Sequence, residues 1–157
     1  MGEGRGEGGQ GRRRKMKLKV KKISPGAKLP VYQHPGDAGM DLFAAEEIKL
    51  EAGEVKAVPT GIKMAIQQGY VGLIWDKSGI SLRGLHRLAG VVDSGYRGEV
   101  RIVMVNLGKE THVFKQGQKV AQMLIQPVQA VEVLDVGEGE LDETVRGEGG
   151  FGSTGRF

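Results

Sequence analysis

Val55-Lys-Ala-Val-Pro-Thr-Gly-Ile-Lys-Met-Ala-Ile-Gln-Gln-Gly-Tyr-Val-Gly-Leu-Ile-Trp75 holds three short β-like runs, Val55–Pro59, Gly61–Ala65 and Val71–Trp75. They are parted by Pro59-Thr60-Gly61 and Gln68-Gly69. Proline removes a ladder donor and glycine supplies turn conformations, so each run is stopped before a helical period can establish itself. The same grammar extends outward. Upstream, Met16–Ile23 alternates lysines with Leu18 and Val20 until Ser24-Pro25-Gly26 stops it, Pro30–Pro35 is proline-bounded and irregular, and Glu47–Leu50 forms another run. Downstream, Val100–Asn106 and Val120–Ile125 read as buried strands and Val131–Val136 as a last one, while Ile80–Leu85 is a candidate for a turn or two of helix. Many short strands with Gly/Pro turns point to an all-β sandwich or jelly roll.

The 157 residues suffice for one domain with tails. Residues 1–22 carry nine Lys or Arg against two Glu, although the whole chain is only +4, so the remainder is mildly acidic. We divide the chain into a basic, glycine-rich tail (1–15), a β-rich body (16–141) and a C-terminal arm (142–157). The Arg12-Arg13-Arg14-Lys15 run could touch nucleic acid, but a solvated tail is the simpler expectation. The chain has no cysteine, which excludes disulfides and thiolate metal sites and suits a reducing compartment. With no membrane-length apolar run and no secretory h-region, the expectation is a soluble, cytoplasmic protein without membrane contact.

The last twelve residues, Arg146-Gly-Glu-Gly-Gly-Phe-Gly-Ser-Thr-Gly-Arg-Phe157, combine five glycines with two rings, two hydroxyls and two arginines. Open backbone N–H groups, Ser153, Thr154 and Arg146 suit phosphate oxygens, and Phe151 offers a flat face to a base. A solvated polar tail is the alternative.

Within the body, Asp93-Ser94-Gly95-Tyr96 has the form of a β-turn, with a positive φ foreseen at Gly95, and brings a carboxylate next to a ring. Because Asp93 follows the apolar Gly90-Val91-Val92, a partly desolvated general base is one reading and a structural turn residue the other. Asp41, in Ala38-Gly39-Met40-Asp41-Leu42, stands where a loop enters a strand. A triphosphate near two carboxylates would need Mg²⁺ between them, and Asp41 is the candidate to orient the hydrated ion. Lys77-Ser78-Gly79 supplies a cation, a hydroxyl and open backbone suited to phosphate, and Gln122 is a polar residue inside an apolar strand that must find partners. His34, His86 and His112 share no ligand-like spacing.

Taken together these segments resemble the trimeric dUTPase family. Ala38–Ala45 looks like its first motif, Lys77-Ser-Gly79 the second and Gly90-Val-Val-Asp-Ser-Gly-Tyr-Arg-Gly98 the third. Gly117-Gln-Lys-Val-Ala-Gln122 looks like the fourth and Arg146–Gly155 the fifth, in order along the chain. The resemblance implies a jelly-roll-like (β-clip) homotrimer whose glycine-rich C-terminal arm is exchanged between subunits, using Mg²⁺ to hydrolyse dUTP to dUMP and pyrophosphate. In that reading Asp93 activates the attacking water and Tyr96 packs on the deoxyribose where a 2′-hydroxyl would have to fit. The hairpin around Leu88–Val91, with Val92 beyond it and Arg101 on the returning strand, reads uracil. Lys77, Ser78, Gly79 and Gln122 hold phosphates, Asp41 positions Mg²⁺ through water, Phe151 stacks on the base, and Arg146, Ser153 and Thr154 meet the γ-phosphate. Two departures stand out: Asp76-Lys77 where the family often has Pro-Arg, and Arg87 where many relatives carry a small or amide residue.

The nearest rival in the resemblance is a dCTP deaminase, which would need an acid/base glutamate beside the pyrimidine. From a different class, a nucleic-acid-binding protein could use the basic tail with a non-catalytic nucleotide-binding body.

Overall fold

The structure is a computed structural model that describes residues 16–150. Eleven strands and one short helix follow in the order β1 (Lys19–Lys22), β2 (Met40–Phe43), β3 (Ile48–Leu50), β4 (Val55–Pro59), β5 (Ile62–Ala65), β6 (Tyr70–Trp75), α1 (Ser78–Ser81), β7 (Leu85–Leu88), β8 (Val91–Val92), β9 (Arg101–Asn106), β10 (His112–Phe114) and β11 (Lys119–Pro127). They pair in four antiparallel groups: β2-β11-β6-β8, β4-β9-β7, β1-β5 and β10-β3.

The three runs that open the chain's reading are β4, β5 and β6, and the structure disperses them over three different groups. Their inward residues nevertheless meet in one core: Val58, Ile62, Met64 and Ile74 join Leu42, Leu50, Leu85, Ile102, Met104, Phe114, Val120 and Met123. Alternation decides which face turns inward. Along β9, Ile102, Met104 and Asn106 are buried while Arg101 is exposed. Asn106, a polar residue on that inner face, satisfies itself by donating to the carbonyls of Leu50 (3.1 Å) and Glu110 (2.8 Å) and accepting from Gly108 N–H (2.9 Å).

Some expectations are corrected. Val131–Val136 forms no strand, because it finds no pairing partner among the described residues: Val131 and Val133 are 77% and 88% exposed. The helix is shorter and earlier than Ile80–Leu85, since Leu85 already pairs with Asn106 and is drawn into β7. No helix among the described residues is long and apolar enough to cross a membrane.

Candidate active site

Two pockets gather the sequence-identified residues of the body apart from Ser78 and Gly79. The first, a cavity of about 240 Å³, lies where two of the strand groups meet, and its lining includes Leu88, Val91, Val92, Asp93, Tyr96 and Arg101. The chain reaches it through a tight passage. β7 pairs with β9, β8 pairs with β6, and only Ala89 and Gly90 connect them, both with positive φ (61° and 124°). Gly90 is required there: a Cβ would stand 2.9 Å from the Ile74 carbonyl, and Gly90 itself accepts a hydrogen bond from Ile74 N–H (2.8 Å). Ala89 tolerates the left-handed conformation at a cost, and the Arg87 guanidinium donates to its carbonyl.

Beyond β8 the chain turns at once. Tyr96 N–H donates to Asp93 C=O (3.1 Å), closing the foreseen turn, but without a left-handed residue: Gly95 does not take a positive φ. The Tyr96 hydroxyl donates to Glu99 C=O (2.9 Å), which fixes the ring at the pocket wall. The Asp93 residue is exposed among the described residues, which corrects the expectation of partial desolvation there: Val91 and Tyr96 beside it are themselves 68% and 46% exposed. Arg101 keeps its guanidinium near the Ala57 carbonyl (3.4 Å) and the Glu99 carboxylate (3.9 Å) while lining the same cavity.

The second pocket, about 580 Å³, is organised by β11. Gln122 stands in register between Asp41 on β2 and Trp75 on β6, so one central strand brings three motifs together. An irregularity in the pairing between Lys119 and Ala121 lets Lys119 reach back to the same place. Asp41 is 3% exposed, and Lys77 Nζ donates to its Oδ1 (2.5 Å) while Lys119 Nζ lies 2.7 Å from Oδ2. The Oδ2 contact is an ion pair without good hydrogen-bond alignment. Burial alone would raise the carboxyl's pKa, but the two lysines outweigh it and hold it below the ordinary 3.8. Gln122 is settled as well, its amide donating to the Asp76 carbonyl (2.8 Å).

Ser78 and Gly79 follow Lys77 at the start of α1, outside the lining of both pockets. Arg146 is exposed and donates from Nε to Gly149 C=O (2.8 Å). Phe151, Ser153 and Thr154, like the tail 1–15, lie outside the described residues. The two pockets share no lining residue: Asp93 and Tyr96 line one, and Asp41, Lys77 and Gln122 the other.

Sequence reasoning passed over several lining residues. Lys119 lies inside the fourth motif, where two strand-end lysines converging on one carboxylate become visible only once β2 and β11 pair. Asp76 was noted only as a departure, yet its carboxylate accepts the Arg87 N–H (2.8 Å) and faces His86 Nδ1 (2.5 Å). The Arg87 guanidinium in turn lies 5.0 Å from the ring centre of Trp75, the chain's sole tryptophan. The two departures from the common pattern are thus one structural unit that ties β6 to β7.

A sequence profile described as dUTPase matches residues 26–155. The chain belongs to the dUTPase family. Among relatives named deoxyuridine 5'-triphosphate nucleotidohydrolase, that of Clostridium kluyveri is 46% identical over 139 residues, covering 87% of this chain and 96% of its own. That of Streptomyces avermitilis is 40% identical over 140 residues, covering 87% and 79%. The dUTPase of Staphylococcus bacteriophage 80alpha, solved with dUpNHpp, superposes with a TM-score of 0.80 at 33% identity, covering 89% of this chain and 99% of that one. A variant dUTPase from phage phi11 of S. aureus, whose structure describes coordination of a structural Mg(II) ion, gives 0.74 at 30% identity, covering 80% and 100%.

Proposed function

We propose that this chain hydrolyses dUTP to dUMP and pyrophosphate, with Asp93 taking the proton of the water that attacks the α-phosphorus. The water oxygen bonds to that phosphorus, the bond to the bridging oxygen toward the β-phosphorus breaks, and pyrophosphate leaves. The observation that carries the reading is Asp93 on the rim of a pocket walled by a fixed Tyr96 and a glycine-dependent hairpin, in a chain of the dUTPase family. Backbone groups of Leu88–Val91 read the uracil edge, and Tyr96 fills the space a 2′-hydroxyl would need. Lys77, Ser78, Gly79 and Gln122 meet the phosphates, and Lys77 exchanges part of its pairing with Asp41 for them.

The second pocket offers two carboxylates, Asp37 and Asp41, to a hydrated divalent cation, although Lys77 and Lys119 now pair with both Asp41 oxygens, so an ion there would share or displace one of those lysines; the described residues offer no closed metal cage. Mg²⁺ commonly keeps several waters and joins one or two carboxylates to substrate phosphates. Asp41 would hold it through water, and the bound ion supplies neutralisation of triphosphate charge.

Because one chain keeps its two groups of residues in separate pockets, we assign the complete site to a trimer. The arm of another subunit brings Phe151 onto uracil and Arg146, Ser153 and Thr154 to the γ-phosphate. The test is incubation with each dNTP and with UTP in Mg²⁺, with products identified: pyrophosphate and dUMP from dUTP, and little from UTP. Release of inorganic phosphate with dUDP would place attack at the wrong phosphorus. Glu99 lines the base pocket, as the deaminase reading requires, but its Oε1 accepts the Gly61 N–H (2.9 Å) and its Oε2 faces Arg101 (3.9 Å). Ammonia release from dCTP would reverse that choice.

A further inference from the structure

At Arg87 the backbone and the side chain are both held against their preferences. Ala89, two residues on, is the one non-glycine residue with a positive φ (61°) among the described residues, a conformation that costs any residue with a Cβ. The Arg87 guanidinium donates to the Ala89 carbonyl, and a Cβ on Gly90 would stand 3.4 Å from its Nη1, so it lies against both residues of the passage between β7 and β8. In that position it buries Nε without a hydrogen-bond partner and forms no ion pair among the described residues. An unsatisfied buried donor and a strained backbone both cost stability, and such features cluster where a fixed geometry serves a function.

Two neighbours keep the guanidinium there. The Trp75 ring, its centre 5.0 Å away, takes the cation on one side. The Asp76 carboxylate accepts the Arg87 backbone N–H (2.8 Å) and faces His86 Nδ1 (2.5 Å), so it anchors the strand and leaves the guanidinium to the passage. Asp76 is itself fixed through its carbonyl, which accepts from the Gln122 amide (2.8 Å). Leu88, Ala89, Gly90 and Val91 line the smaller pocket, whereas Arg87 does not. Resting on the reading in which this hairpin's backbone meets the uracil edge, we propose that Arg87 is a positioning residue for base selection. From behind the hairpin it locks the Ala89-Gly90 passage in the shape that admits uracil and leaves no room for the added methyl group of thymine. A wall excludes a methyl group only if it does not yield, and a single such group is worth roughly 10–200-fold in selectivity. Asp76 and Arg87, the two departures from the common pattern, then serve one purpose.

The test compares wild type, Arg87→Ala and Arg87→Lys as full chains. In the unliganded protein, amide hydrogen exchange at Ile74, whose N–H donates to the Gly90 carbonyl (2.8 Å), should speed up at least roughly tenfold in Arg87→Ala, while Ala45, whose N–H donates to the Pro59 carbonyl (2.8 Å), exchanges as before. In turnover, Arg87→Ala should raise KM for dUTP about tenfold, keep kcat within about threefold, and lower the ratio of kcat/KM for dUTP over dTTP at least roughly tenfold. Arg87→Lys keeps a cation for Trp75 and a donor for the Ala89 carbonyl while losing the planar fork, so it should lose only roughly threefold in that ratio, and it carries the comparison if Arg87→Ala does not fold. Unchanged exchange at Ile74 would overturn the lock. Faster exchange or a lower melting temperature with the wild-type ratio of dUTP to dTTP would reduce Arg87 to a structural role and overturn the proposal alone. A wild type that turns over dTTP as well as dUTP would instead overturn the functional reading beneath it, and the proposal with it.

Discussion

At Asp93 and Asp41 two carboxylates of one chain sit in opposite surroundings. Asp93 is exposed on a pocket rim, and among the described residues no ion pair holds it, which suits the general-base role proposed for it. Asp93→Asn keeps the shape and removes the basicity, so nucleotide binding should persist while kcat falls ~10²-fold or more. A near-normal kcat in single-turnover assays would move the base elsewhere. Asp41 is buried and clamped by Lys77 and Lys119, with its pKa lowered despite the opposing effect of burial. A lowered folded-state pKa means that its stabilisation is present above the ordinary 3.8 and lost as pH falls through the folded value. Asp41→Asn should therefore cost about 1–3 kcal/mol at neutral pH and show a shallower loss of stability in acid than wild type, measured by urea midpoints across pH. The candidate roles of both residues were legible because turn and strand-entry chemistry is local. The burial of one and the exposure of the other were not, since each depends on what distant strands lay against it.

Between elements, the Ala89-Gly90 passage shapes the pocket proposed to read the base. It is the point where the chain leaves one strand group for another, and Gly90 has room only because it has no side chain. Gly90→Ala should lose more than about 1 kcal/mol of stability and relax discrimination between dUTP and dTTP, since the displaced hairpin widens the pocket. A calorimetric scan with paired kcat/KM values would check both, and an unchanged melting temperature would remove the steric argument. The sequence shows most strand cores because alternation and glycine or proline stops are short-range signals. It does not show β7, whose first residue it gives to a helix, nor β8 and β10, two and three residues long; these exist through their pairing with β9, β6 and β3. Val131–Val136 illustrates the reverse: a good strand pattern without a partner among the described residues stays unpaired.

For the whole molecule, the proposal rests on one chain lining two pockets with different motif residues, Asp93 and Tyr96 in one and Asp41, Lys77 and Gln122 in the other. The motif order identifies the candidate site residues, but spacing along the chain cannot say which copy supplies which residue. The direct test is complementation. Asp93→Asn with its arm intact and a chain ending at Val145 with Asp93 intact should each be nearly inactive. When they are co-refolded in equal amounts, random cyclic trimers are about three-quarters mixed, and each mixed trimer joins one intact Asp93 to one intact neighbouring arm. Activity should return to roughly a quarter of wild type, one working site in three. Mixed trimers verified by mass and showing no recovered dUTP turnover would contradict the shared site and leave each arm to close over its own chain.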